Sequence, residues 1–157
     1  MIVKETTSTN SPIYEDALSI RHEVFITEQN VPFEREIEGE EGKHYFVGYV
    51  GTTAAVCARA FLESPGIWHV QRVACRKEYR GKHLASELMR FIEEKASDSG
   101  IRLITLGAQD QAAPFYERLG FKTIGEGFLE AGIPHHRMDK EILLAKNPSV
   151  RYDGCMR

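Results

Sequence analysis

Gln71-Arg72-Val73-Ala74-Cys75-Arg76-Lys77-Glu78-Tyr79-Arg80-Gly81-Lys82-His83-Leu84-Ala85 is the stretch on which the reading of this chain turns. Its first residues close an apolar run that starts at Ile67, and a basic loop follows. From about His83 the period changes. Leu84, Leu88, Phe91, Ile92 and Ala96 fall on one helical face, and Gly100 is placed to close the helix. Ile101–Ala108 is again a short apolar run. Strand, helix and strand in that order predict two parallel strands joined by a right-handed crossover. The first turn of the helix carries free N–H groups and a partial positive charge. A loop of small residues lets a phosphate approach them, and Arg76, Lys77, Arg80 and Lys82 add four cations nearby. Spacing alone fits a phosphate-binding loop and a solvated basic turn equally well.

On the N-terminal side, residues 2–7 read as a short edge strand. Tyr14, Ala17, Leu18, Val24 and Phe25 predict an amphipathic helix over about 13–26, opened by Asn10-Ser11-Pro12 and ended by Val31-Pro32. Glu34 to Lys43 is acidic, holds Gly39 and Gly42, and reads as a loop. His44–Val50 and Thr53–Leu62 form a hairpin about Gly51-Thr52, and Ser64-Pro65-Gly66 is a second turn. On the C-terminal side, Ala112–Leu119 is a short helix stopped by Gly120, and Phe121–Gly125 and Arg137–Leu144 are closing strands. The order predicts an α/β (α+β) domain with a central mixed sheet flanked by helices. One domain is expected over 1–146, with 147–157 expected to be an exposed, mobile tail.

Composition narrows the function. The 157 residues suit one domain. The net charge is −3, so there is no basic excess of the kind nucleic-acid binding needs, and an anionic ligand must rely on a local basic cluster. Cys57, Cys75 and Cys155 have no metal-ligand or CxxC spacing and read as reduced thiols in the cytoplasm. The first residues lack the apolar stretch of a signal peptide, and no apolar run approaches the ~20 residues of a membrane span.

Arg80-Gly81-Lys82-His83-Leu84-Ala85 resembles the acyl-CoA motif Q/R-x-x-G-x-G/A of the GNAT acyltransferases. His83 stands where that family usually has Gly, so its side chain either crowds the phosphate or hydrogen-bonds to it. Gln109, Ala112, Phe115, Tyr116, Gly120 and Phe121 resemble the family's N-x-x-A-x-x-F-Y-x-x-x-G-F pattern, with Gln in place of Asn. Arg21 through Pro32, the acidic loop, His44, Gly107-Ala108-Gln109 and Gly132-Ile133-Pro134-His135 resemble the ElaA-like branch of that family. The resemblance implies a GNAT-like fold with a CoA-binding strand-loop-helix and acetyl-CoA as co-substrate. By it, Val73 and Cys75 flank the pantetheine arm, Arg72 and Ala74 belong to the same cofactor-binding strand, and Arg80, Gly81, Lys82, His83, Leu84 and Ala85 hold the pyrophosphate. Gln109, Ala112, Phe115 and Tyr116 complete the cofactor site. The resemblance also implies Tyr116 as the proton donor to the leaving thiolate, where the residue alone reads equally as a half-buried helix tyrosine.

An amine acceptor, small molecule or protein, is mostly protonated at neutral pH and must lose a proton before it attacks. Glu28, His44, His69, Glu126 and His135 are the available bases, each with an alternative as a surface or capping residue. His44 and His135 are expected on the acceptor side of the cleft. Backbone N–H groups near Arg72–Ala74 can stabilise the oxyanion if that strand splays from its neighbour. Cys75 as a nucleophile lacks an evident histidine partner. Adjacent His135-His136 do not readily face one ion, so no metal is expected. Two other readings stay open: an acyl-homoserine-lactone synthase-like enzyme, which shares the Arg21–Phe25 look, and a CoA-binding regulatory module without turnover. Monomer and homodimer are both compatible with the sequence.

Overall fold

The computed structural model describes residues 1–143, so Cys155 and the expected tail lie outside the described residues. One seven-stranded sheet organises them, in the order β1-β2-β3-β4-β5-β7-β6. The strands are β1 (Ile2–Thr6), β2 (His44–Val50), β3 (Thr53–Ser64), β4 (Ile67–Cys75), β5 (Leu103–Gln109), β6 (Lys122–Glu130) and β7 (Ile133–Glu141). All neighbours are antiparallel except β4 and β5, which are parallel, as the intervening helix requires.

Four helices flank the sheet: α1 (Pro12–Arg21), α2 (Phe33–Glu36), α3 (Leu84–Asp98) and α4 (Ala113–Arg118). Helix α1 starts where Ser11 accepts a hydrogen bond from Ile13 N–H at 3.2 Å. It does not stop near residue 26 but continues through a π-helical turn, His22–Glu28. The two faces of the sheet carry separate cores. Ala17, Ile20 and Val24 of the first helix pack on Val47, Cys57 and Ala74. Leu88, Met89 and Ile92 of α3 pack on Phe46, Val56, Trp68, Val70, Ile104 and Met138 on the other side. The alternation of side chains along each strand separates these two sets.

Two expectations need correction. The acidic stretch is not simply a solvated loop: it holds the short helix α2, and Glu36 is 1 % exposed. The closing strands are longer than expected and form a hairpin about Ala131-Gly132, because β7 begins at Ile133 rather than Arg137. Exposed Gly125-Glu126-Gly127 breaks the apolar pattern, since the register slips there between Ile124 and Phe128. Leu144 lies outside the described residues.

Candidate active site

Strands β4 and β5 are paired from Ile67↔Leu103 to Val70↔Leu106 and not beyond. Past that point Gln71–Cys75 and Gly107–Gln109 part and leave a V-shaped opening in the sheet. A bulge in β4 accompanies the parting. Cys57 pairs with Ala74 and Arg59 with Gln71, so Ala58 alone stands opposite Arg72 and Val73. Such a bulge bends and twists its strand. It also puts Arg72 at φ +56, a conformation that costs a non-glycine residue of order 1–3 kcal/mol.

What holds Arg72 there is its own side chain. Its Nε donates to the Glu36 carboxylate at 3.0 Å and the Glu36 carbonyl at 3.2 Å, and Nη2 donates to the Arg35 carbonyl at 3.2 Å. Glu36 in turn accepts from Arg21 Nε at 2.9 Å. Arg21 Nη2 lies 2.8 Å from Glu40, whose other oxygen is 2.7 Å from Arg59 Nη1. Arg59 also donates to Gln71. Three guanidinium groups and two carboxylates thus tie the acidic loop to β3 and β4. Burial pushes the Glu40 carboxyl up, but hydrogen bonding and charge from Arg21, the Tyr45 hydroxyl and Arg59 outweigh it and hold its pKa below the usual value. Arg59 in an otherwise apolar strand was the available sequence signal, since a buried guanidinium needs carboxylate partners.

The opening widens into a cleft of about 760 Å³. Of the residues expected to bind cofactor, Arg72, Val73, Ala74, Cys75, Arg80, Gln109, Ala112 and Tyr116 line it. Tyr116 is buried and edge-packed on Phe115 and Phe121, at ring separations of 4.9 and 5.7 Å. Burial raises its pKa, so the phenol keeps its proton at neutral pH. Phe115 serves as Tyr116's packing partner rather than as a wall of the cleft. Burial also raises the Cys75 thiol, which disfavours the thiolate a nucleophile needs.

The loop into α3 differs from expectation in its cations. Arg76 turns towards the first helix and donates to the Ala54 carbonyl at 2.7 Å, Glu23 at 2.8 Å and Ser19 at 2.9 Å, so it is not placed for phosphate. Arg80 is paired with Glu28. Lys77 and Lys82 are exposed. Leu84 is a core residue and Ala85 packs beside it, so only their backbone N–H groups are candidates for a ligand. Gly81 has φ +79 with open space where a Cβ would stand. His83 is the residue before the helix, at φ +62, with no side-chain capping bond. That conformation gives a physical reason for glycine at this position in the motif: glycine adopts it without steric cost. The imidazole of His83 is exposed, so the requirement is on the backbone as well as on any contact with phosphate.

The candidate bases separate. His44 is on the α3 side of the sheet, with its ring 5.2 Å from Trp68 and 6.5 Å from Phe46, and does not line the cleft. The alternation of β2 turns it away from the acceptor side where it was expected. Glu126 is exposed in the irregular part of β6 and is also outside the cleft. Glu28 and His69 line the cleft but are engaged, Glu28 by Arg80 and His69 Nδ1 by Glu63 at 2.9 Å. His135 lines the cleft, is 6 % exposed, and stacks on Phe128 at 5.7 Å. Its Nδ1 lies 2.6 Å from the Ile133 carbonyl. A carbonyl only accepts, so Nδ1 carries the hydrogen and Nε2 of the neutral ring holds the lone pair. Glu130, 3.8 Å from that Nε2, was not anticipated from sequence. No group of three or more residues suited to holding a metal occurs among the described residues.

A mixed sheet opened between two parallel strands, with a basic strand-loop-helix beside a buried tyrosine, defines an acyltransferase of the acyl-CoA type. The chain belongs to the acetyltransferase (GNAT) domain family, which matches residues 7–142. It is 36 % identical over 141 residues to the uncharacterized N-acetyltransferase YjcF of Bacillus subtilis, covering 88 % of this chain and 100 % of that protein. The crystal structure of Escherichia coli ElaA matches with a TM-score of 0.78 at 25 % identity, over 90 % of this chain and 100 % of that one. A CoA-dependent acyl-homoserine lactone synthase, BjaI, shares the fold at 19 % identity and a TM-score of 0.75, over 90 % of this chain and 83 % of that one.

Proposed function

We propose that this acyltransferase moves an acetyl group from acetyl-CoA to an amine, small molecule or protein, by direct attack in a ternary complex. The observation that carries the reading is the parting of β4 and β5 beyond Val70 and Leu106, with Tyr116 and His135 both on the cleft it opens. The unpaired edge of Gln71–Cys75 offers backbone groups to an extended pantetheine arm. The first N–H groups of α3, after Gly81 and His83, suit a pyrophosphate. His135 Nε2 takes the proton from the amine, directly or through one water. N–H groups in the Arg72–Ala74 bulge steady the tetrahedral oxyanion. The Tyr116 phenol protonates the departing thiolate. The C–N bond forms first, as the carbonyl electron pair moves to oxygen, and the C–S bond breaks when that pair returns, with no covalent enzyme intermediate.

A single acetyltransferase domain over 1–146 belongs to this reading, supported by one sheet that draws strands from both ends of the described chain. So does a cytoplasmic location, supported by free Cys57 and Cys75. No helix among the described residues is long and apolar enough to cross a membrane. The test is release of free CoA thiol over a panel of amines, with acetylated product identified by mass. Tyr116→Phe, which keeps the ring, is expected to lower kcat by about 10²–10⁴ with acetyl-CoA affinity nearly unchanged. Absence of thiol release with every amine in the panel would overturn the amine-transfer reading. An unchanged kcat with chemistry rate-limiting would return Tyr116 to a packing role.

A further inference from the structure

Arg80, expected to hold phosphate, already holds a carboxylate. Its Nη1 and Nη2 donate to the two Glu28 oxygens at 3.0 and 2.7 Å, while Nε donates to the Cys75 carbonyl at 2.9 Å. The next residue, Gln29, accepts from Gln109 Nε2 at 2.9 Å. Cys75 ends the β4 arm of the V, Arg80 lies in the loop that follows it, and Gln109 ends the β5 arm. Glu28 and Gln29 therefore bridge the two arms where the sheet is open, and all five residues line the cleft. The bridge sits at the end of the π-helical turn His22–Glu28, and Asn30 follows at φ +57. Single π-helical turns are rare and cluster at functional sites.

We infer that Glu28-Gln29 is a strap across the mouth of the V, and that cofactor loading displaces it by exchanging the Glu28 carboxylate for phosphate oxygens on Arg80. The inference rests on the proposed placement of the pyrophosphate beside α3. Three features support it. The bidentate fork that Arg80 presents to Glu28 fits phosphate oxygens equally well. The pair is exposed, with side chains 42 % and 32 % accessible, so exchanging one anion for another leaves no charge buried. A Glu28 carboxylate left beside bound phosphate would repel it. Release of the strap also moves a wall of the cleft, because Val24, Phe25 and Val31 line it from the same segment. Glu28 thus competes with the cofactor for Arg80, and in the unloaded protein that pairing holds it away from a role as base.

The test is calorimetric titration of acetyl-CoA into the wild-type protein, Glu28→Gln and Gln29→Ala, with hydrogen exchange followed over residues 22–31. Glu28→Gln keeps the shape, removes the charge and frees Arg80. Its affinity is expected to rise by about 2- to 5-fold, with a smaller rise for Gln29→Ala. Exchange over 22–31 in the wild-type protein is expected to quicken when acetyl-CoA is added. If the wild-type protein binds but Glu28→Gln binds equally or more weakly, the strap is wrong and the cofactor site stands. If neither protein binds acetyl-CoA, both readings fall.

Discussion

The bulge of β4 and the loop before α3 each hold a left-handed residue that is not glycine and an arginine paired with a glutamate from elsewhere in the chain, yet they are held in opposite ways. Arg72 at φ +56 is clamped by its own guanidinium to Glu36, in a cluster where the Arg21 and Glu36 side chains are 1 % and 2 % exposed. His83 at φ +62 is exposed and has no capping bond, and the nearby Arg80–Glu28 pair faces solvent. The residue types match and the energetics do not. Removing one partner of a buried pair leaves the other charge buried. An exposed pair exchanges with water at little cost. The bulge that opens the sheet is therefore fixed in place, while the loop proposed to meet phosphate can change partners.

Breaking the buried cluster should have the largest effect. Glu36→Gln keeps the shape but leaves Arg21 and Arg72 without their shared carboxylate. A loss of about 3–5 kcal/mol in unfolding free energy is expected from urea denaturation. A loss below about 1 kcal/mol would place the cluster in the same class as the exposed pair and erase the contrast.

Glycine substitution sharpens the comparison by sign. Arg72→Gly relieves the strained φ but loses the clamp, and should destabilise by about 2–4 kcal/mol. His83→Gly has no clamp to lose and should stabilise by about 1 kcal/mol, the left-handed strain less the added freedom of the unfolded chain. Thermal unfolding of both variants reads the two signs. Changes of the same sign would mean that the side chains do not account for the difference.

Acid gives the most graded effect. The Glu40 carboxyl is held below its usual pKa, so its contribution is complete above the ordinary glutamate value of about 4.3 and is lost as pH falls through the lower folded value. Urea midpoints taken from about pH 7 down to about pH 3 should drop at the acid end, and Glu40→Gln should flatten that drop. An equally steep drop in the variant would assign the acid sensitivity to other carboxylates.

Much of the frame was legible in short windows. The turn at Gly51-Thr52, the strand Ile67–Cys75, the helix from Leu84 and its closure near Gly100 follow from local periodicity and turn chemistry. The β6–β7 hairpin was underestimated because Gly125-Glu126-Gly127 interrupts its alternation while β7 still pairs on both sides of the gap. Of the two histidines expected at the acceptor side, only His135 lines the cleft. Sequence placed both at strand edges, but which face a strand residue takes depends on the register and packing of the whole sheet.

By itself the sequence determined the order of the strands and of the longer helices, the strand-loop-helix proposed to meet phosphate, and the tyrosine that follows it. These are local properties, set by side-chain period, by turn residues and by the free N–H groups of a helix start. Only the tertiary structure decided where β4 and β5 part, that the acidic loop is pinned by Arg21, Arg59 and Arg72, and that Arg80 is held by Glu28. Those outcomes depend on partners far apart in the chain, 36 residues for Arg72 with Glu36 and 52 for Arg80 with Glu28. Charge pairing is set by distance in space and by burial, and neither can be read from a window of neighbouring residues.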